Sequence, residues 1–164
     1  MIATVNAGFM DEKQRYAEGY PDVGGMMHVV RVTLFPDMRI YRFASAGVPD
    51  DRLYGSPWWI GFSPQSTLRQ LARVEARTLR DVARQRLAVP PEWGNAMNLV
   101  VCASVVQPLS AWSGTPRTAR TRETQGSRYG EAWRPDRSIT QLYIPGLREM
   151  DWATVLLPVS LEAI

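Results

Sequence analysis

Three short segments carry residue types that can do chemistry. The first is Tyr41-Arg42-Phe43-Ala44-Ser45, where an arginine interrupts an apolar stretch. A guanidinium in such a strand needs an anion or hydrogen-bond acceptors, because burying it unpaired is costly. Either it meets a ligand, or it sits at a strand edge and pairs with Asp50 or Asp51. The second segment is Gly55-Ser56-Pro57-Trp58-Trp59-Ile60-Gly61-Phe62-Ser63. Adjacent tryptophans in a strand point to opposite faces, so one enters the core while the other lines a surface or cleft. Gly61 admits a close backbone or a flat ligand, and Ser63 can cap the following helix or hold an anion at its N-terminus. The third is Ile139-Thr140-Gln141-Leu142-Tyr143-Ile144-Pro145-Gly146. Gln141 shares a strand face with Ile139 and Tyr143, which puts an amide among buried or cleft-lining groups, or else at an exposed edge.

Other chemistries lack their parts. His28 is the only histidine, and its strand setting does not suit the base of a Ser-His-Asp arrangement. A single cysteine, Cys102, rules out a disulfide framework and a thiolate zinc site, and its apolar strand makes it inert. No glycine loop of phosphate-cradling type is present, and no carboxylates cluster for a metal. An enzyme built here works without metal or histidine.

The elements that position these residues follow from pattern. With 164 residues, 45% of them hydrophobic, the chain suits one domain with a real core. Residues 1–27 read as an irregular or helical lead-in rich in turn residues, and 28–164 as a single α+β domain of catalytic type. His28 to Phe35 and Arg39 to Ala44 read as strands divided by Pro36-Asp37. One prominent helix is expected after Ser63 or Ser66 as N-cap, with Leu68, Leu71, Ala72, Val74, Leu79, Val82 and Ala83 at helical spacing and Pro90-Pro91 as its stop. Asn98 to Val106, Ile139 to Ile144 and Thr154 to Val159 read as further strands. Between them Pro108 to Ser138 shows no periodicity and is expected as one long loop, a length usually functional or disordered.

Charge adds a second theme. Lys13 is the only lysine among nineteen basic residues, so eighteen are arginine. Arg117, Arg120, Arg122, Arg128, Arg134 and Arg137 fall in the expected loop, offset by Glu123, Glu131 and Asp136. Arginine's fork suits phosphates and carboxylates, so this loop can meet a phosphate-bearing ligand or nucleic acid, or stay solvated. The apolar runs are far shorter than the ~20 residues of a membrane span. No charged start precedes an apolar block, so no ordinary export signal is expected.

Taken in order, the three segments resemble the ADP-ribosyltransferase superfamily, in its toxin-like branch with an Arg, a Ser-containing strand and a late Glu. Tyr41-Arg42-Phe43 corresponds to the early arginine strand, Trp58 to Ser63 to the aromatic–Ser segment feeding a helix, and Gln141-Leu142-Tyr143-Ile144-Pro145-Gly146 to the late strand. The resemblance covers about residues 28–158. It implies split antiparallel sheets around an NAD cleft, with NAD as substrate. Arg42 would hold the phosphates or ribose, and Trp58, Trp59, Gly61, Phe62 and Ser63 would organise the nicotinamide half. Gln141 would stand where the family has its glutamate. That departure removes a negative charge from an oxocarbenium-like transition state, and losing such an interaction commonly costs ~10²-fold or more. A carboxylate from the loop, Glu131 or Glu123, is the obvious substitute; Glu131 lies between Tyr129 and Trp133.

The resemblance implies transfer of ADP-ribose to a protein or nucleic acid, with a cognate inhibitor as partner and action in the cytoplasm or in a target cell. NAD hydrolysis on the same fold is the neighbouring possibility. A module that binds nucleic acid or a partner through the basic aromatic loop, without catalysis, is the alternative from another class.

Overall fold

The computed structural model describes residues 2–121 and 132–164. Its elements, in chain order, are α1 (Met10–Glu18), β1 (Met26–Leu34), β2 (Arg39–Ala44), α2 (Asp50–Gly55), β3 (Trp58–Trp59), α3 (Phe62–Val74), α4 (Leu79–Arg86), β4 (Leu99–Val105), β5 (Leu109–Pro116), β6 (Ala119–Arg120), β7 (Ala132–Trp133), β8 (Gln141–Tyr143) and β9 (Leu156–Ala163). Two antiparallel sheets form the frame, one ordered β1-β5-β8-β3 and the other β2-β4-β9. The class is therefore mixed α+β with antiparallel sheets.

Burial explains the layering. Both faces of β4 are covered, and its sequence Leu-Val-Val-Cys-Ala-Ser-Val is near-continuously apolar as such a strand requires. One face meets the larger sheet, where Ile40, Val101, Leu109, Leu142 and Leu156 share a core. The other is covered by α3 and α4 through Leu68, Ala72, Val82 and Ala83 against Phe43 and Val100. A third cluster seats α1 on the larger sheet: Met10 and Ala17 pack with Met26, Trp112 and Tyr143. The Trp112 indole N–H donates to the Met10 carbonyl at 3.0 Å, so burying that ring leaves no polar atom unpaired. Asn6 does the same for the chain ahead of α1. Wholly buried, its amide donates to the carbonyls of Ser110 and Pro145 and accepts from the Ser110 N–H.

Three expectations are corrected. The one prominent helix is two. The chain leaves α3 after Val74 and passes Ala76 with φ of 52°, and Thr78 then caps α4 by accepting from the Asp81 N–H at 3.1 Å. The apolar spacing continues across the break because both helices cover the same sheet face. Pro108 to Ser138 is not one long loop: β5, inside it, is a central strand of the larger sheet. Its buried positions are Leu109, Ala111, Trp112, Gly114 and Pro116, and the Ala, Gly, Pro and Ser residues that make up most of the run carry little strand signal. The helix that Ser63 or Ser66 was expected to cap starts at Phe62, with Gly61 as its N-cap and no side-chain cap bond.

The two sheets are stitched at one point. Beyond β3, Ile60 leaves the larger sheet and pairs with Tyr41 of β2, through Tyr41 N–H to Ile60 O at 2.8 Å and Ile60 N–H to Tyr41 O at 2.7 Å. This crossing puts β2 beside β3 and opens a cleft where the sheets diverge.

Candidate functional site

The cleft encloses about 450 Å³, a size suited to a nucleotide-scale ligand. Its floor is the stitch itself, with Tyr41, Arg42 and Phe43 from β2 and Trp58, Trp59 and Ile60 from β3. Gln141 of β8 enters from the side, because β3 pairs with β8 in the register Trp58 to Tyr143. The third wall is the glycine turn between α1 and β1, with Gly19, Gly24 and Gly25, and the fourth is the segment from Leu87 to Met97 that carries Trp93 and Asn95. Arg117, just past β5, completes the lining.

Arg42 stands on the β2 face shared by Ile40 and Ala44, so its side chain leaves the strand toward the inter-sheet core. It does not pair with Asp50 or Asp51. Its Nη1 donates to the carbonyls of Arg52 at 2.9 Å and Leu53 at 2.7 Å, in α2. The guanidinium lies over the Trp59 ring, 5.8 Å from its centroid. Nε is buried with no acceptor. Burial, and then the charge of Arg148, bring its pKa down to about 10. A buried cation with an unused donor, no carboxylate bonded to it and a like charge nearby gains from an anionic ligand.

The tryptophan pair divides as the strand geometry requires. Trp59 is buried in the inter-sheet core, and its indole N–H donates to the Ser56 carbonyl at 2.7 Å. Trp58 is half-buried and meets Tyr143 edge-on, ring centroids 4.9 Å apart. Gln141, half-buried, sits opposite Gly114 of β5. A Cβ on Gly114 would lie 2.6 Å from the Met27 carbonyl, so only glycine lets β1 and β5 close behind Gln141. Desolvation raises the Tyr143 pKa, and it raises that of Tyr41, to which Cys102 adds. Both phenols therefore stay protonated donors.

The structure thus gathers Arg42, Trp58, Trp59 and Gln141 in one cleft. Gly61, Phe62 and Ser63 do not line it. Phe62 and Ser63 turn outward in the first turn of α3, Phe62 being 64% exposed with its ring 6.5 Å from that of Tyr41, and a Cβ on Gly61 would meet nothing nearer than Pro64 at 3.9 Å. Glu131 and Glu123 lie outside the described residues. No Asp or Glu side chain lines the cleft among the described residues, and there no group of metal-ligating side chains forms. The basic run is partly committed elsewhere. Arg117 Nε donates to the Glu18 carbonyl at 2.6 Å and Arg120 pairs with Asp22 at 3.3 Å, while Asp136, one of the acids of that stretch, pairs with Arg86 of α4 at 3.4 Å.

Sequence reasoning missed Trp93, Arg117 and the glycine turn as cleft residues. Residues 1–27 read as a lead-in, yet Gly19, Gly24 and Gly25 all take positive φ, and the last two carry the chain close past Trp93 and Glu18. Clustered glycines ahead of a strand were the available signal.

No family model matches the sequence, and no curated protein does. Among solved structures, Rhs1-CT in complex with its cognate immunity protein RhsI1 is similar, with TM-score 0.50 and 16% identity over 84% of this chain and 83% of that one. A structure of Tne2 in complex with Tni2 gives TM-score 0.46 and 12% identity, over 89% and 98%. The first likeness is one of fold.

Proposed function

We propose that the domain cleaves NAD between nicotinamide and ribose, with water as acceptor. The observation that carries this reading is the convergence on one cleft of Arg42, Trp58 and Gln141, from three separate strands, with a buried guanidinium nitrogen left unpaired. The fit to the substrate is threefold. The Arg42 guanidinium, which lines the cleft with no carboxylate bonded to it, suits the pyrophosphate, the glycine turn lets a ligand pass close to backbone, and Trp58 offers a flat wall to the nicotinamide ring.

In the reaction the glycosidic C–N bond breaks and its electron pair leaves on nicotinamide, which departs neutral. The ribose carbon becomes oxocarbenium-like, and water adds there and sheds a proton to solvent, leaving ADP-ribose. Gln141 holds a ribose hydroxyl by its amide, which orients the sugar without contributing charge, and the walls keep the reacting carbon in place. Such a cation traps water without prior deprotonation. Water therefore suffices as acceptor, and the ADP-ribose transfer that the sequence resemblance implies is the other outcome of the labelling test below.

The fold shared with Rhs1-CT, which is bound by an immunity protein, supports a toxin-like role. We extend that arrangement to this chain as a cognate protein inhibitor and action inside a cell where NAD is found. Incubating the purified chain with NAD labelled in the adenylate half, with and without cell lysate, tests the acceptor. Free label as ADP-ribose fits the reading, whereas label on protein or RNA moves the function to transfer.

A further inference from the structure

We infer that Trp93 is the stacking residue for the purine ring of the substrate and that Arg84 holds it in position. The inference rests on the NAD reading and goes beyond it, because that reading leaves the adenine without a partner. A dinucleotide presents two flat bases, and Trp58, beside Gln141, serves one end. Trp93 comes from a different element, the segment between α4 and β4, and lines the same cleft.

Its setting is not that of a core residue. The indole is 46% exposed and makes no hydrogen bond among the described residues, although nothing about a 3-10 turn over Pro91–Trp93 requires so large a side chain. Its close approach is to Gly24 across the cleft, where a Cβ would lie 2.7 Å from the indole Cη2. Gly24, with φ of 109°, therefore lets the ring lean over the cavity instead of standing clear of it. A half-exposed indole that lines the cavity can attract a base by stacking.

The loop that carries Trp93 is clamped at both ends by one side chain. Arg84 Nη1 donates to the Val89 carbonyl at 3.2 Å, and Nη2 to the carbonyls of Asn95 at 2.9 Å and Ala96 at 3.2 Å. Asn95 in turn donates to the Phe43 carbonyl at 3.0 Å, which ties the loop to β2 beside Arg42. Arg84 does not line the cleft, so it acts through Trp93 as a positioning residue.

The test is calorimetric titration of the full chain with ADP-ribose, which carries adenine, and separately with nicotinamide mononucleotide, which does not. Trp93→Ala is expected to weaken ADP-ribose about tenfold, the equivalent of a ~1.4 kcal/mol stack, and to leave the mononucleotide within about twofold. Trp93→Phe should restore most of the ADP-ribose affinity. Arg84→Ala should weaken ADP-ribose selectively, Arg84→Lys should recover part of it, and Trp93→Ala/Arg84→Ala should be no worse than Trp93→Ala alone. Equal weakening of both ligands by Trp93→Ala, or no change in either, overturns the inference while wild-type NAD cleavage leaves the broader reading standing. A wild-type chain that neither binds ADP-ribose nor cleaves NAD overturns both.

Discussion

Replacing Arg42 by alanine separates the two things this side chain does. Its Nη1 makes two hydrogen bonds to carbonyls of α2. Bonds from a charged donor contribute ~1.5–3 kcal/mol each. Against them stands the cost of holding the cation in place, for burial brings its pKa down from the ordinary arginine range to about 10, which corresponds to roughly 3 kcal/mol. The two terms largely offset, so Arg42→Ala should lower stability by only about 1–2 kcal/mol. For a domain of this size that is a fall in Tm of roughly 2–8 °C. Ligand binding should respond quite differently. At a ligand concentration a hundred times Kd the folded wild type gains ~2.7 kcal/mol, a rise of roughly 5–11 °C. With Arg42 gone, the unpaired donor and the buried positive charge go too, and that rise should vanish. Thermal unfolding with and without ADP-ribose measures both quantities on one sample. An Arg42→Ala protein that melts slightly early but keeps its full ligand-induced rise would refute the reasoning, leaving Arg42 a structural clamp on α2.

Gln141→Ala should lower the turnover of NAD by about 10²-fold with a smaller change in KM, since a positioned hydrogen bond to the reacting sugar is lost; steady-state nicotinamide release checks this. Gly114→Ala should destabilise the fold by ~1–3 kcal/mol, because the new methyl would meet the Met27 carbonyl, and urea unfolding measures it. Ser138→Ala tests a pH effect. The Asp136 pKa is lowered chiefly by the Ser138 hydroxyl, against an opposing desolvation. The native state is thus stabilised above the unfolded carboxylate's pKa, and that contribution disappears as pH falls through the lowered one. Ser138→Ala should cost under ~1 kcal/mol at pH 7 and nothing once the carboxyl is protonated in both states, as denaturation at the two pH values would report.

Much of the frame was legible because local signals and burial agree. Arg39 to Ala44 forms the strand its alternation predicts, and the β-branched Asn98 to Val106 contains β4. The failures have physical causes. At the helix break, Glu75-Ala76-Arg77 contains neither glycine nor proline, and only Thr78 with Asp81 three residues on signals a new N-terminus. β5 hid because Ser110, Ala111, Ser113, Gly114 and Pro116 are poor strand formers, the glycine being required where β1 and β5 close on each other. Of the cleft lining, Arg42, the Trp58–Trp59 pair and Gln141 were singled out because each places a polar or bulky group where its strand neighbours are apolar. Trp93 was not, since its place in the cleft depends on a glycine turn distant in sequence. Ser63 misled for the reverse reason: its local motif looked functional, but the helix begins one residue earlier and carries it outward.

The most direct test is the fate of NAD in the presence of the purified chain. The account predicts nicotinamide and free ADP-ribose in equal amounts, produced by the wild type and strongly reduced in both Arg42→Ala and Gln141→Ala. NAD left intact by a folded wild type, or consumed equally by all three proteins, would contradict it.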